Sequence, residues 1–342
     1  MSAETSTWLN TNTLIGFTEK RGNAWHYRAE EQGALSNHYV GAIPVEDVRS
    51  RLFHWTPVEG DLSTSYVTVD GVTTLRPTDW KTVIRPDTGD VLGVFKSSYR
   101  IHDYDQWLIQ NLDFLLHGDL RVGSAGLLRK GAVAWVQVET PDTVTTPEGV
   151  AFRPFVSAAT SLDGSLSSTY QTGAQVIVCD NTLSAALNET GAARVKIKHS
   201  SKSIGRLSEV RDALGLVHKV TDDFSAQVAS LCATEVSDRA WAEFLKLHVG
   251  VPADDAPART KTIARNKWDA LRSLYSNDLR VSPWKGTAFG VVQAVNTYEH
   301  HLVKPRNDVK AGERNQLRTI TGKVDALDQD TLTTLHKALA TV

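Results

Sequence analysis

The chain has 342 residues, 41% of them hydrophobic and 22% charged, which is ordinary globular usage and excludes a disordered tail, a collagen-like repeat and a membrane bundle. Its length exceeds what one simple core usually fills, so one elaborated domain or two is expected. The formal net charge of -2 hides an asymmetry: residues 1–191 hold 14 basic and 22 acidic residues (net -8), and residues 192–342 hold 23 basic and 17 acidic (net +6). A polyanion would therefore meet the second half, while the first half would repel it or face another partner.

Residues 1–60 mix polar stretches with isolated aromatics, and Val45, Val48 and Leu52 predict a short helix after Pro44, which suits a first-turn position. Tyr66–Val69 and Val72–Leu75 flank Asp70-Gly71, the signature of a tight hairpin. Thr82–Arg85 and Val91–Phe95 flank Pro86–Asp90 and predict a second hairpin with a longer loop. Tyr104, Trp107, Leu108, Leu112, Leu115 and Leu116 form a helical stripe, with Asp103 as N-cap and Gly118 as its end. Val122–Leu128 and Ala132–Glu139 predict a third hairpin across Arg129-Lys130-Gly131, and Gly123–Gly126 inside the first of these strands suggests a bulge. Phe152–Ala158 and Ser165–Gln171 flank the turn Ser161–Gly164. Gln175–Cys179 predicts a short strand leading into a helix that starts near Asp180 or Asn181, whose N-terminus would suit a cap or a phosphate.

After about residue 200 the periodicity becomes helical. The stripes are Leu207, Val210, Leu214 and Val217; Phe224, Val228 and Leu231; Trp241, Phe244, Leu245 and His248; Ala264, Trp268, Leu271 and Tyr275; Ala288, Val291, Val292, Val295 and Tyr298; and Leu332, Leu335 and Leu339, with a break at Pro252–Pro257. Strands followed by helices read as an α+β fold: antiparallel hairpins in a meander, packed with helices, then a mainly helical C-terminal part. The expected division is an N-terminal segment 1–60, a hairpin-rich sheet 61–205 and a helical region 206–342, the last packed on the sheet or separate.

Cys179 and Cys232 are the only cysteines, in no metal-ligand spacing, so neither a disulfide framework nor a zinc finger is expected. No basic-then-apolar leader and no long apolar span appear, so a cytoplasmic protein with no membrane partner is expected. The signatures of P-loop NTPases, serine hydrolases and zinc proteases are missing, and no cofactor and no catalytic residue is assigned. His102, Asp103 and Asp105, or Glu299-His300-His301, would serve a metal-dependent enzyme, but capping by Asp103 and a helix-end role for the histidines are the plainer readings.

The strongest local feature is Arg194-Val195-Lys196-Ile197-Lys198-His199, continuing through Lys202 to Arg206. In a strand, Arg194, Lys196 and Lys198 fall on one face and Val195 and Ile197 on the other. With the hydroxyls of Ser200, Ser201 and Ser203 this is a candidate phosphate track; the alternative is an edge strand kept soluble by lysine. Arg259, Lys261, Arg265, Lys267 and Arg272 lie beside Trp268 and Tyr275, and Lys304, Arg306, Lys310, Arg314 and Arg318 follow. Cations interleaved with rings can track a single strand, although Trp268 sits on the apolar stripe.

Three segments in order resemble a bacterial family, domain of unknown function 932, also called phage/plasmid-like protein. They are Ala24-Trp25-His26; Val178–Leu183 with Ala185-Ala186-Leu187 and the basic strand ending in His199; and Gly286–Gly290 with Gln293–Tyr298, then His300-His301. The resemblance spans roughly 24–340 and implies a phage, prophage or plasmid origin and an accessory role, with DNA metabolism as the expectation. The order of strands, hairpins and helices is also similar to single-strand annealing recombinases. The first expectation is therefore a DNA-binding protein, sequence-nonspecific, binding and annealing single strands in recombination or replication as a homo-oligomer. Arg194, Lys196, Lys198, Lys202, Arg206, Arg265 and Lys267 would contact the nucleic acid. The competing expectation is an interaction protein that inhibits or adapts a host restriction or repair factor, its dense carboxylates mimicking phosphates.

Overall fold

A computed structural model describes residues 8, 10–23, 27–113, 120–176, 181–183, 194–203, 217–303, 314, 318 and 323–342. Antiparallel sheets occupy the first part and helices the second, so the fold is α+β. The chain divides into two compact units, one formed by 1–141, 155–172 and 192–216 and the other by 142–154, 173–191 and 217–342.

In the first unit, β1 (Thr13–Ile15), β5 (Arg121–Leu128), β6 (Val133–Glu139), the later part of β8 (Ala151–Ser161) and the first part of β9 (Ser168–Val176) lie side by side, with β11 (Arg194–Ile197) on the outer side of β9. All seven residues of β6 are buried, as expected of a strand at the centre of a sheet. The turn between β5 and β6 is the expected one, with Arg129, Lys130 and Gly131 all at positive φ. The expected bulge is present too, as a register shift between Val122 and Ser124. At Gly126, opposite Trp135, a Cβ would sit 2.0 Å from the indole ring, so only glycine fits.

A second sheet contains β2 (Val58–Val67), β3 (Thr73–Arg85) and β4 (Asp90–Lys96). The Asp70-Gly71 hairpin forms where expected, with Gly71 at φ +75°. Val72–Leu75 and Thr82–Arg85, read as separate strands, are two ends of β3, which runs through Pro77. β3 tolerates the proline because β4 pairs only from Trp80 onward, leaving no ladder partner on that side at Pro77. α1 (Val45–Arg51) starts after Pro44, as expected. Asp103 caps the next segment, its Oδ1 accepting from Gln106 N at 3.0 Å. That segment is a π-helical turn, Asp105–Ile109, followed by a 3-10 turn, Gln110–Leu112, rather than a regular helix. Leu115, Leu116 and Gly118 lie outside the described residues.

The second unit holds α2 (Val217–Ala233), α3 (Asp238–Val249), α4 (Ala258–Asn277), α5 (Ala288–Thr297) and α6 (Lys323–Thr341), with the short β7 (Val144–Thr145) and β10 (Asn181–Leu183). All ten residues of α5 are buried, and α2, α4 and α6 pack around it. A helix buried on every side, here with Gln293, Asn296 and Thr297 among its apolar residues, sits at the centre of its unit. The expected helix start at Asn181 is corrected: Asn181-Thr182-Leu183 forms β10 and pairs with Ala174–Val176 of β9, so these residues are neither a helix cap nor a helical phosphate site. Cross-strand pairing, invisible in the local sequence, won over the capping propensity of Asn and Thr.

Phe289 is fully buried against Trp284 in this core. Phe289→Ala should lower the unfolding free energy by about 3–5 kcal/mol, measured by urea denaturation.

Candidate nucleic-acid interface

β11 is an edge strand of the first unit, antiparallel to β9, with Lys196 opposite Thr169 and Ile197 opposite Ser168. The alternation read from the sequence holds where side chains are described: Lys196 and Lys198 are exposed and Ile197 is fully buried. Arg194 lies at the start of the strand, opposite Gln171. After the strand, Ser203 closes a small turn, its Oγ donating to Ser200 O at 2.7 Å, and Lys202 is exposed on it. Arg206 lies outside the described residues.

Where the lysines point outward, His199 turns inward. Its ring joins a column running Phe95, Tyr99, His199, His102, Trp107, with centroid separations of 3.8, 5.0, 3.9 and 3.6 Å. The two imidazoles are also bridged by hydroxyls. His102 Nδ1 and Ser168 Oγ are 2.6 Å apart, Ser168 Oγ and Thr160 Oγ1 2.8 Å, and Thr160 Oγ1 and His199 Nε2 3.2 Å. Each pair shares a hydrogen bond, so four side chains from four segments close a ring of contacts around the start of β9. Tyr170, two residues on, is anchored by donating to Trp107 O and accepting from Asn111 Nδ2 at 2.9 Å.

Both imidazoles are held neutral. Burial, and then the neighbouring His199, lower His102 from 6.5 to about 3. Burial lowers His199 to about 4, opposed slightly by the backbone at Arg100. A proton on His102 would also create a buried N–H at Nε2, an atom with no hydrogen-bond partner.

The column unites the basic strand with a segment that the sequence reading treated only as the end of a hairpin. Lys96 and Arg100, both exposed, flank Tyr99 in the chain as Lys198 and Ser200 flank His199. The described surface thus combines exposed Lys96, Arg100, Lys196, Lys198 and Lys202 with the half-buried rings of Phe95, Tyr99 and His199. The only local hint was the repetition of cations around an aromatic in Lys96–Arg100, too short to be read as a motif.

The other basic clusters belong to the second unit. On α4, Arg265 is exposed, whereas Lys267 is half-buried with its ammonium 5.6 Å from the centre of the Tyr298 ring. Tyr275 is buried against Trp241, and Trp268 is half-buried against the core, as its place on the apolar stripe implied. Of the last cluster, Arg314 donates to the carbonyls of Val303 and Glu299, and Arg318 pairs with Glu299 at 3.1 Å. Lys304, Arg306 and Lys310 lie outside the described residues.

The metal candidates go to separate partners. His102 is in the column, Asp103 caps a turn, and Asp105 pairs with Arg49 at 2.7 Å. Glu299 is taken by Arg318 and His300 is buried. Among the described residues, no three His, Cys, Asp or Glu side chains converge as a metal centre, and no helix is long and apolar enough to cross a membrane. Burial, and then the Glu148 carboxylate, push the Cys232 thiol up to about 11, which leaves it protonated and unreactive at neutral pH.

A family model described as "Domain of unknown function (DUF932)" matches residues 91–321, more than half of the chain. The match takes in the ring column, the basic strand and the Gly286–Tyr298 segment, and begins after Ala24-Trp25-His26, which also lies outside the described residues. No curated protein and no solved structure matches.

A base held neutral by folding favours the unfolded chain as pH falls, because the unfolded chain takes up the proton first. For His102 the stabilisation is complete above its unfolded value of 6.5 and is lost as pH falls toward about 3. Melting temperatures should therefore decline across that window. In His102→Phe, which keeps a ring face and cannot titrate, the decline should be shallower by up to about 1.4 kcal/mol per pH unit. Parallel profiles for the two proteins would show that His102 takes up no proton on unfolding.

Proposed function

The chain belongs to the domain of unknown function 932 family, and from that membership we propose that it is a DNA-binding protein of a phage or plasmid. It binds single strands without reading their sequence, in recombination or replication within the bacterial cytoplasm. The supporting observation is the association of exposed Lys196, Lys198 and Lys202 with the half-buried rings of Tyr99 and His199 on one edge of the first unit. Lysines neutralise phosphates as point charges, and the serine hydroxyls of the following loop add hydrogen-bond donors. Phe95 and His199 cover the faces of Tyr99, and Tyr99 and His102 cover those of His199, so a base meets the edges of these rings. Single strands suit this edge because their unpaired bases can turn edge-on to the rings while the backbone follows the lysines.

The neutral state of the two histidines matters here. With both imidazoles uncharged at physiological pH, the attraction for phosphate comes from the lysines and Arg100. Lys196 and Lys198 stand two residues apart on the outward side of an edge strand. That spacing of about 7 Å is close to the phosphate repeat of an extended single strand.

Fluorescence anisotropy with a labelled single-stranded oligonucleotide, repeated over a salt series, tests this reading. Affinity should fall steeply with salt, and Lys196→Glu/Lys198→Glu should weaken binding at least tenfold. If each lysine neutralises one phosphate, the salt slope should fall by about 1.4, twice the value of about 0.7 per phosphate on single strands. No binding at low salt, or unchanged binding by the variant, would overturn the proposal.

A further inference from the structure

The central sheet of the first unit carries a polar row on the face turned away from the ring column. Ser124 of β5, Gln137 of β6 and Ser157 of β8 stand directly opposite one another in register. Side chains alternate between the two faces along a strand. Thr160, three residues after Ser157, shares the other face with Ser168 and the two imidazoles. Ser157 and its row therefore point the opposite way.

This row is buried but unsatisfied. Ser124 is 9% exposed, Gln137 7% and Ser157 2%. Ser157 Oγ has no hydrogen-bond partner, and neither has Trp135 Nε1, which borders the row on β6. Among the described residues, the Ser124 hydroxyl and the Gln137 amide have no protein partner either. Apolar side chains here would serve the fold better, since a buried polar group left unpaired destabilises it. Four such groups side by side point to a ligand that supplies the missing partners.

The chemistry of the row selects the ligand. It holds no charge, and the neighbouring Glu139 is folded against Gly123 rather than over the row. The bound group is therefore neutral. An amide and two hydroxyls offer donors and acceptors together. Two buried aromatics flank them: Trp135, which lies across Gly126, and Phe155, which follows Ser157 on the same face of β8. Hydrogen-bonding groups between aromatic side chains suit a nucleobase, whose edge carries donors and acceptors and whose faces stack. A cation stands on the same face. Lys196 is opposite Thr169, which alternates with Ser168 and so lies on the row's side of the sheet. Two strands separate Lys196 from Ser157, about 10 Å at the usual strand spacing, within reach of one nucleotide whose phosphate sits at the lysine.

We propose that the row Ser124, Gln137 and Ser157 receives one base of a bound strand, turned out of the stack, while Lys196 holds its phosphate. This rests on the DNA-binding reading and deepens it, because the ring column on the other face meets bases only by ring edges.

Fluorescence anisotropy at low salt tests this on the full chain with two labelled oligonucleotides of equal length, one normal and one abasic. They carry the same phosphates and differ only in their bases. The wild type should bind the normal strand more tightly. Gln137→Leu and, separately, Ser157→Ala should weaken binding of the normal strand about tenfold, the worth of one well-made base contact, and leave the abasic strand unchanged. Melting temperatures should hold or rise, because an unpaired polar group gives way to an apolar one. Variants that bind both strands as the wild type does would mean that the row holds water only, and would overturn the proposal. So would equal weakening of both strands, which would assign the row to the fold. Wild-type binding that ignores the bases would overturn it too, with the DNA-binding reading left standing. If neither strand binds, that reading fails, and nucleoside monophosphates decide the site. A rise in melting temperature in the wild type and not in Gln137→Leu would then keep the site, and no rise would overturn it.

Discussion

The first unit depends on keeping two imidazoles, the buried His102 and the half-buried His199, uncharged and face to face. His102 and His199 come from segments almost a hundred residues apart, and one nitrogen of each reaches the hydroxyls of Ser168 and Thr160. Removing water from these rings costs less while they carry no proton, because burying a charge costs far more than burying a neutral polar ring. The consequence reaches the surface. His199 follows directly on the basic strand, so its inward anchorage determines how Lys198 and Lys202 are presented, while Ile197 seals the strand from the other side. The basic edge strand is held both by its four-residue ladder and by this polar contact.

The second unit is organised by close approach rather than by polar contact. α5 is buried at every position, and its entry is constrained residue by residue. Gly286 takes φ +87°, Thr287 Oγ1 accepts from Gly290 N at 3.2 Å, and a Cβ on Gly290 would sit 2.2 Å from Trp284 O. The segment Gly286–Gly290, one of those that carried the family resemblance, therefore has a packing reason: it lets a wholly buried helix begin directly beneath Trp284. Further along, Asn296 donates to Asp328 Oδ1 at 2.8 Å, a buried contact that ties α5 to α6. These features explain the motif as architecture and assign it no chemistry.

Much of the fold was legible because its signals are local. Asp70-Gly71, Arg129–Gly131 and the glycine pair before Leu127 each specify a turn or bulge through backbone geometry that few residues can adopt. The helical stripes from Phe224 to Leu339 were legible because one buried face repeats at helical spacing. Asn181-Thr182 misled for the same reason, since residues good at capping are placed in β10 by a partner strand that local sequence does not show.

Sequence alone determined the α+β order, the turns, the family and the outward face of the basic strand, because each follows from a short-range pattern of sterics or alternation. Tertiary structure decided which cations lie together. It placed Lys96 and Arg100 near the β11 lysines through stacked rings, engaged Lys267 with Tyr298, and committed Arg314 and Arg318 to the Glu299–Val303 turn. It also joined Val72–Leu75 and Thr82–Arg85 into one long strand, with which β4 pairs only from Trp80 onward. Charge and exposure are properties of neighbours in space. The split of the net charge into -8 and +6 is legible in the sequence, whereas the exposure and pairing of each cation are set by packing.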